Sequence, residues 1–102
     1  GETYQAAALR ELAEEIGLRI AAIDLTEIDY APCHADLGHE FVRSYLVCGD
    51  HRPTLARAEV DSLLWRHPRE MDAWMRRAPE AFSTPLMHLW ARPAIRKALG
   101  LA

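Results

Sequence analysis

The first repeating pattern in the chain has a helical period. Its apolar residues recur at spacings of three and four, at Leu9, Leu12, Ala13 and Ile16. Thr3 precedes them and is a residue type that caps helix amino termini, whereas Gly17 follows them and readily adopts the left-handed conformation that ends a helix. The pattern predicts a helix from about Tyr4 to Ile16.

The middle of the chain changes to β-branched and aromatic residues without a helical stripe. This change predicts an interrupted strand from Leu18 to Ala31 and a second strand from Glu40 to Cys48. The segment Pro32 to Gly38 carries Pro, Asp and Gly and predicts a hairpin connection. A further short strand is predicted from Val60 to Arg66.

Helical spacing returns in the last third of the chain. Met71, Trp74 and Met75 predict an amphipathic helix from Pro68 to Arg77. The pair Thr84-Pro85 repeats a capped helix start, and Pro93 breaks or kinks the segment after Trp90. Three tryptophans occupy apolar positions and are predicted to pack in the core rather than to stack on a base: Trp65, Trp74 and Trp90.

Composition narrows the class of protein. A chain of 102 residues forms one small domain at most, and its net charge of −3 gives no reason to expect a stable nucleic-acid partner or an anionic membrane surface. Cys33 and Cys48 are too few for a disulfide framework, and no amino-terminal charged-then-apolar pattern or long apolar run is visible in these residues. These features predict a cytoplasmic location.

The helix from Tyr4 to Ile16 gathers its charges on one side. At about 100° per residue, Arg10, Glu11, Glu14 and Glu15 fall opposite the apolar face. Three carboxylates at these spacings repel one another, and a divalent cation would neutralise them. Oxygen ligands suit Mg²⁺, and Mn²⁺ could replace it. If the charges alone are considered, the alternative to a metal site is a solvated, glutamate-rich helix face.

The same segment resembles the Nudix box, G-x5-E-x7-R-E-U-x-E-E-x-G-U, where U is aliphatic. Glu2 matches its first glutamate, Arg10 to Glu15 match its centre, and Gly17-Leu18 match its end. The opening glycine would precede Gly1, so the resemblance implies that the chain starts inside the box. It implies an α/β/α sandwich with a mixed sheet, of which residues 1–102 form the carboxy-terminal part and whose amino-terminal strands are missing from this chain.

The resemblance also implies roles for individual residues. Glu14 and Glu15 would bind Mg²⁺, Glu11 would bind it or assist the attacking water, Arg10 would orient Glu11, and Glu2 would support or join the metal shell. The implied reaction is that of MutT-like pyrophosphatases. It is hydrolysis of the phosphate-phosphate bond in a small-molecule substrate, either a nucleoside diphosphate linked to another group or a similar organic diphosphate.

Members of this superfamily commonly recruit another glutamate from outside the box. Glu40 is the first candidate for that catalytic role, and Glu59 is the second. His39 is a candidate substrate contact because it stands beside Glu40.

The carboxy-terminal half resembles the branch of the superfamily that includes isopentenyl-diphosphate isomerase and hydrolases related to it. The resemblance lies in Glu59-Val60, in the run from Leu64 to Met71 and in Ala81 to Pro85. Such isomerases move a double bond with a cysteine before the box and a glutamate after it, and Glu40 could be that glutamate. The cysteine's position would precede Gly1, and Cys33 and Cys48 are on the wrong side of the box to substitute for it. The pattern from Arg10 to Glu15 is complete, whereas isomerases commonly depart from it, and this favours hydrolase over isomerase.

Two further interpretations concern binding and assembly. Cys33, His34, His39 and His51 match no paired-ligand spacing of a structural zinc site and are predicted to be loop residues.

A non-catalytic fragment that retains the box helix and acts as an assembly module is a third function. Exposed sheet edges would then favour a homodimer.

Overall fold

A computed structural model describes residues 1–55, 60 and 62–102. Within these residues the helices are α1 (Tyr4–Ile16), α2 (Pro68–Arg77), α3 (Thr84–Trp90) and α4 (Pro93–Ala98). The strands β1 (Leu25–His34) and β2 (Glu40–Val47) pair as an antiparallel hairpin. Three short 3-10 segments cover Ala22–Asp24, Ala35–Leu37 and Pro79–Ala81. The combination of helices with a sheet confirms the predicted α/β class.

Contacts divide the chain into two compact units. The first comprises Gly1–Glu27 and Tyr45–Leu64, and the second comprises Ile28–Ser44 and Trp65–Ala102. The first therefore contains α1, and the second contains α2, α3, α4 and the turn of the hairpin. In the described ranges, no helix has both the length and the apolar character needed to cross a membrane.

In the first unit, α1 has the predicted bounds for the predicted reasons. The Thr3 hydroxyl accepts a hydrogen bond from the Ala6 N–H at 3.0 Å. At the other end Gly17 has φ +66°, and the Leu18 N–H donates to the Leu12 carbonyl at 3.1 Å. These bonds satisfy backbone groups that a helix end leaves without partners, so both caps stabilise α1.

The hairpin differs in detail from its prediction. β1 begins at Leu25 rather than Leu18, because a 3-10 turn over Ala22–Asp24 precedes it, and it continues to His34 through part of the predicted connection. Only Ala35–Leu37 and the two residues after it make the turn. Gly38 and His39 take positive φ values of 68° and 59°, which lets so short a connection reverse the chain.

The predicted strand from Val60 to Arg66 is wrong for the residues that are described there: Val60 and residues 62–66 carry no strand. Leu63, Leu64 and Trp65 are all exposed, so this apolar run has no buried face of the kind that selects a strand. Trp65 is 72% exposed, which also corrects its predicted place in the core.

In the second unit, α2 and α3 start at side-chain caps. The His67 ring accepts from the Arg69 N–H, while Glu70 accepts from the His67 N–H, and together they form a capping box at Pro68. The cap of α3 is Ser83, one residue before the predicted Thr84. Buried apolar residues of this unit are Ala31, Leu37, Met75 and Ile95.

Asp72 of α2 joins the three helices of the second unit. Its carboxylate accepts from the Trp90 indole at 2.9 Å and from two nitrogens of Arg96 at 3.0 and 3.2 Å, and it also pairs with Arg76 at 2.9 Å. The remaining tryptophan, Trp74, packs edge-on against a phenylalanine. Only two of the three tryptophans therefore take part in packing.

Candidate active site

The outer face of α1 carries the charges that the helical period places there. Arg10, Glu11, Glu14 and Glu15 are all exposed, while the four apolar residues of the opposite face are half-buried: Leu9, Leu12, Ala13 and Ile16. The half-buried stripe fixes which way the helix faces. The carboxylates consequently lie where a solvated cation can approach them.

Arg10 lies between the carboxylates of this face. Its Nε and Nη2 donate to the two oxygens of Glu2, each at 2.9 Å, and its Nη1 donates to Glu14 Oε2 at 3.1 Å. Nη2 also approaches Glu11 Oε1 at 4.0 Å. The planar guanidinium holds two carboxylates in fixed orientations, because its nitrogens form a rigid fork.

Electrostatics follows from this geometry. The hydrogen bonds from Arg10 lower the pKa of the Glu2 carboxyl, against a smaller opposing effect of desolvation. The hydrogen bonds and charge of Glu2, with a smaller contribution from Glu14, raise the pKa of Arg10. Both partners are therefore ionised at neutral pH, and Arg10 carries the only full positive charge in the contacts described for this group.

A cleft of about 470 Å³ lies beside the carboxylates in the first unit. Glu11 and Glu15 supply its charged edge. Its other lining residues are apolar or aromatic and come from α1 and the two strands: Ala8, Leu12, Leu25, Tyr45, Leu46 and Val47. A cleft with one acidic edge and an apolar wall can take a molecule that has both a charged and an apolar part.

The box carboxylates, Glu2, Glu11, Glu14 and Glu15, offer hard oxygen donors, which fit Mg²⁺ or Mn²⁺. Among the described residues they do not form a group of three with ligand atoms all within 4.8 Å, and Arg10 pairs with two of them, Glu2 and Glu14. Magnesium commonly takes one or two carboxylates, waters and substrate phosphates, so two of these side chains suffice.

Of the predicted residues outside the box, the structure describes Glu40 and His39 but not Glu59. Glu40 is exposed at the first position of β2 and belongs to the second unit, and His39 precedes it in the hairpin turn. Glu59 lies outside the described residues. The catalytic and metal-binding roles of all these residues stay predictions.

The sequence analysis missed one cluster in the second unit. His34, Asp36 and His88 bring ligand atoms within 4.8 Å of one another. Asp36 and His88 are 52 positions apart in the chain, so no local spacing brings them together. Only the packing of α3 on the hairpin turn does so.

The caps, the acidic outer face and the Arg10 fork of α1 place most of the predicted box on one capped helix. The NUDIX domain family model matches residues 1–91 of the chain. The chain therefore belongs to the Nudix domain family.

Two curated relatives come from different functional classes. The chain is 32% identical over 103 residues to an isopentenyl-diphosphate Delta-isomerase from Kocuria rhizophila, covering 97% of this chain and 57% of the relative. It is 26% identical over 83 residues to an uncharacterized Nudix hydrolase from Nostoc sp., covering 81% of this chain and 49% of the relative. The chain thus spans about half the length of these relatives. No solved structure matches it at a significant level.

Proposed function

We propose that the chain belongs to a Mg²⁺-dependent hydrolase that cleaves a phosphate-phosphate bond. The substrate is a nucleoside diphosphate linked to another group or a similar organic diphosphate. The observation that carries the proposal is the exposed carboxylate face of α1, on which Arg10 holds Glu2 and Glu14 in defined orientations. Membership of the Nudix family and the similarity to a Nudix hydrolase support it.

In this proposal Glu14 and Glu15 hold the cation, with Glu2 and Glu11 as the further carboxylates of the same shell. When bound, Mg²⁺ supplies charge neutralisation at the phosphate oxygens and a lowered pKa for a coordinated water. Mn²⁺ can replace it, because it accepts the same oxygen donors.

The protein's own groups orient and accept protons. Arg10 fixes Glu14 through Nη1 and Glu2 through Nε and Nη2, so that each carboxylate turns its remaining lone pairs away from the guanidinium. Glu11 accepts the proton of the attacking water, with Arg10 Nη2 4.0 Å from its Oε1. Glu40 is the additional catalytic carboxylate. We infer a cytoplasmic protein in which the exposed Cys33 and Cys48 stay reduced.

Isomerisation of a prenyl diphosphate is the second candidate, and the 32% identity to the Kocuria isomerase favours it. The two reactions share a diphosphate substrate and a divalent cation but differ in the bond that changes. Hydrolysis releases a phosphate product, whereas isomerisation moves a double bond and keeps the diphosphate intact.

The deciding experiment presents the full protein with Mg²⁺ and either nucleoside diphosphate-linked compounds or isopentenyl diphosphate. Phosphate or nucleotide release supports the hydrolase, and a shifted olefinic proton signal in NMR spectra supports the isomerase. Glu14→Gln should lower the hydrolytic rate by at least about 100-fold, because it removes a charged ligand.

The matched control is Glu80→Gln, which changes an exposed carboxylate in the second unit and should keep the wild-type rate. Equal rates for Glu14→Gln and wild type would refute the role given to Glu14. If the protein binds Mg²⁺ but changes neither substrate, the non-catalytic assembly module is favoured. Sedimentation then tests whether it is a homodimer.

A further inference from the structure

The hairpin turn and α3 bring three metal-ligating side chains together in the second unit. Asp36 Oδ2 lies 3.1 Å from His88 Nδ1 and 3.6 Å from His34 Nδ1, and the two imidazole rings have centroids 4.3 Å apart. His34 ends β1, Asp36 lies in the 3-10 turn after it, and His88 lies in α3.

The distances from Asp36 Oδ2 to the two imidazole nitrogens are compatible with ligands around one small cation, and the ligand atoms of all three residues lie within 4.8 Å of one another. Two donors bound tetrahedrally at 2.0–2.1 Å are separated by about 3.3 Å, between the 3.1 and 3.6 Å observed here. Two imidazoles and one carboxylate also form a mixed donor set that suits Zn²⁺ and similar transition cations better than Mg²⁺.

The hydrogen bonds at His34 indicate which of its ring nitrogens is protonated. The Asp36 N–H donates to His34 Nδ1 at 3.0 Å, so this nitrogen is an acceptor and the ring proton is on Nε2. His34 Nδ1 also lies 3.6 Å from Asp36 Oδ2, a second acceptor, although its one lone pair is directed at the Asp36 N–H. Two acceptors at that distance repel each other, and a cation between them converts the repulsion into attraction.

The side chains of the cluster are partly exposed, so an ion can reach them from solvent. The side chains of His34, Asp36 and His88 are 50%, 45% and 20% exposed. Asp36 and His88 line a groove of about 820 Å³ that continues past Phe82 and Met87 in the same unit. The groove supplies an entry path, and solvent can complete the coordination.

We propose that His34, Asp36 and His88 form a binding site for a zinc-type divalent cation, separate from the carboxylates of α1. His34 Nδ1, His88 Nδ1 and Asp36 Oδ2 are the ligands, and water takes the remaining position. His88 binds after its proton leaves Nδ1 and solvent protonates Nε2. At His34 the cation takes the Nδ1 lone pair from the Asp36 N–H. The ion ties the hairpin turn to α3 and stabilises the second unit.

Metal titration of the full protein tests this site. Co²⁺ is the probe, because its visible absorption reports coordination by imidazole, and Zn²⁺ affinity is measured by competition with a chromophoric chelator. Excess Mg²⁺ in all samples occupies oxygen-donor sites such as the α1 carboxylates. The wild type should bind one Co²⁺ with visible bands, and Zn²⁺ should raise its Tm by roughly 5 °C or more.

The variants are His34→Asn, which keeps a side-chain acceptor for the Asp36 N–H, and His88→Gln, which keeps a good helix former in α3. Each should weaken Zn²⁺ binding by at least about 100-fold and abolish the Co²⁺ bands. The matched control is His39→Asn, because asparagine tolerates the positive φ at that position. It should retain wild-type Zn²⁺ affinity.

Wild-type Zn²⁺ affinity in both cluster variants would overturn the proposal, as would loss of that affinity in Glu14→Gln alone. Circular dichroism identifies a variant that fails to fold, and the other variant then decides. Neither readout depends on catalysis, so an inactive protein that binds Zn²⁺ here would contradict only the hydrolase proposal.

Discussion

Arg10 binds both carboxylate oxygens of Glu2 through two hydrogen bonds of 2.9 Å, although the two residues are eight positions apart in the chain. Glu2 precedes the helix and Arg10 lies in its second turn. The pair therefore folds the incoming segment onto the acidic face of α1. Because Arg10 also binds Glu14, one guanidinium sets the positions of two box carboxylates.

Replacing this guanidinium by an ammonium separates the effect of charge from that of geometry. Arg10→Lys keeps the positive charge but loses the fork that binds Glu2 and Glu14 together. We expect kcat for diphosphate hydrolysis to fall by about 10- to 100-fold. The control is Arg19→Lys, an exposed arginine after the helix. Equal activity in the two variants would show that Arg10 only forms a surface ion pair and does not position the box carboxylates.

The turn after α1 should not tolerate a side chain. Gly17 has φ +66°, and an added Cβ would lie 3.0 Å from the Thr54 carbonyl oxygen, beside the 2.7 Å hydrogen bond from the Thr54 N–H to Ile16. Gly17→Ala should lower the free energy of unfolding by about 2–3 kcal/mol, from left-handed strain plus the steric contact. Urea denaturation measures the loss.

Gly38→Ala is the matched control for that contact. Gly38 has φ +68°, but nothing lies within 4 Å of a Cβ placed there. It should lose only the conformational contribution of about 1 kcal/mol. If the two alanine variants are equally stable, the contact with Thr54 contributes nothing.

Low pH should lower the stability of the second unit by protonating Asp72. Its hydrogen bonds from Arg96 and Trp90 lower its pKa to about 2 from an ordinary 3.8. A carboxyl with a lower pKa in the folded state stabilises the fold above the unfolded value and loses that effect as pH falls from about 4 toward 2. Asp72→Asn should therefore lower Tm at pH 6 far more than at pH 2.5.

Asp50→Asn is the control for this pH dependence, because Asp50 is an exposed carboxyl of the first unit. Its Tm should follow the wild type at both pH values. A constant Tm difference between Asp72→Asn and wild type across this range would show that the Asp72 charge is not what stabilises the three helices.

The tryptophans should differ in their effect on stability. Trp90→Phe removes the indole bond to Asp72 from a half-buried side chain and should lower Tm by roughly 5–10 °C. Trp65→Phe changes a side chain that is 72% exposed and should shift Tm by less than about 3 °C. Thermal unfolding followed by circular dichroism compares them, and similar losses would contradict the exposure of Trp65.

Elements with strong local signals could be predicted from the sequence almost to the residue. For α1 and α2 the apolar period, the cap residues and the terminal glycine or proline all lie within the element itself, so a short window contains the cause. The strand starting at Leu25 was less predictable, because strand formation depends on burial, as at Leu25 and Ala31, and burial is set by tertiary packing rather than by a short window of sequence. The strand predicted around Trp65 was wrong for the same reason, because the apolar composition of a segment does not determine whether it is buried.

The sequence by itself determined the spacing of the box carboxylates on α1 and their separation from the apolar stripe, because helix geometry converts spacing into a shared face. Only the tertiary structure decided that Arg10 reaches Glu2 across the helix start. It alone brought Asp36 against His88 and joined Asp72 to Trp90 and Arg96. These contacts link different elements, and the packing of those elements, unlike the period of one helix, is not contained in any single segment of sequence.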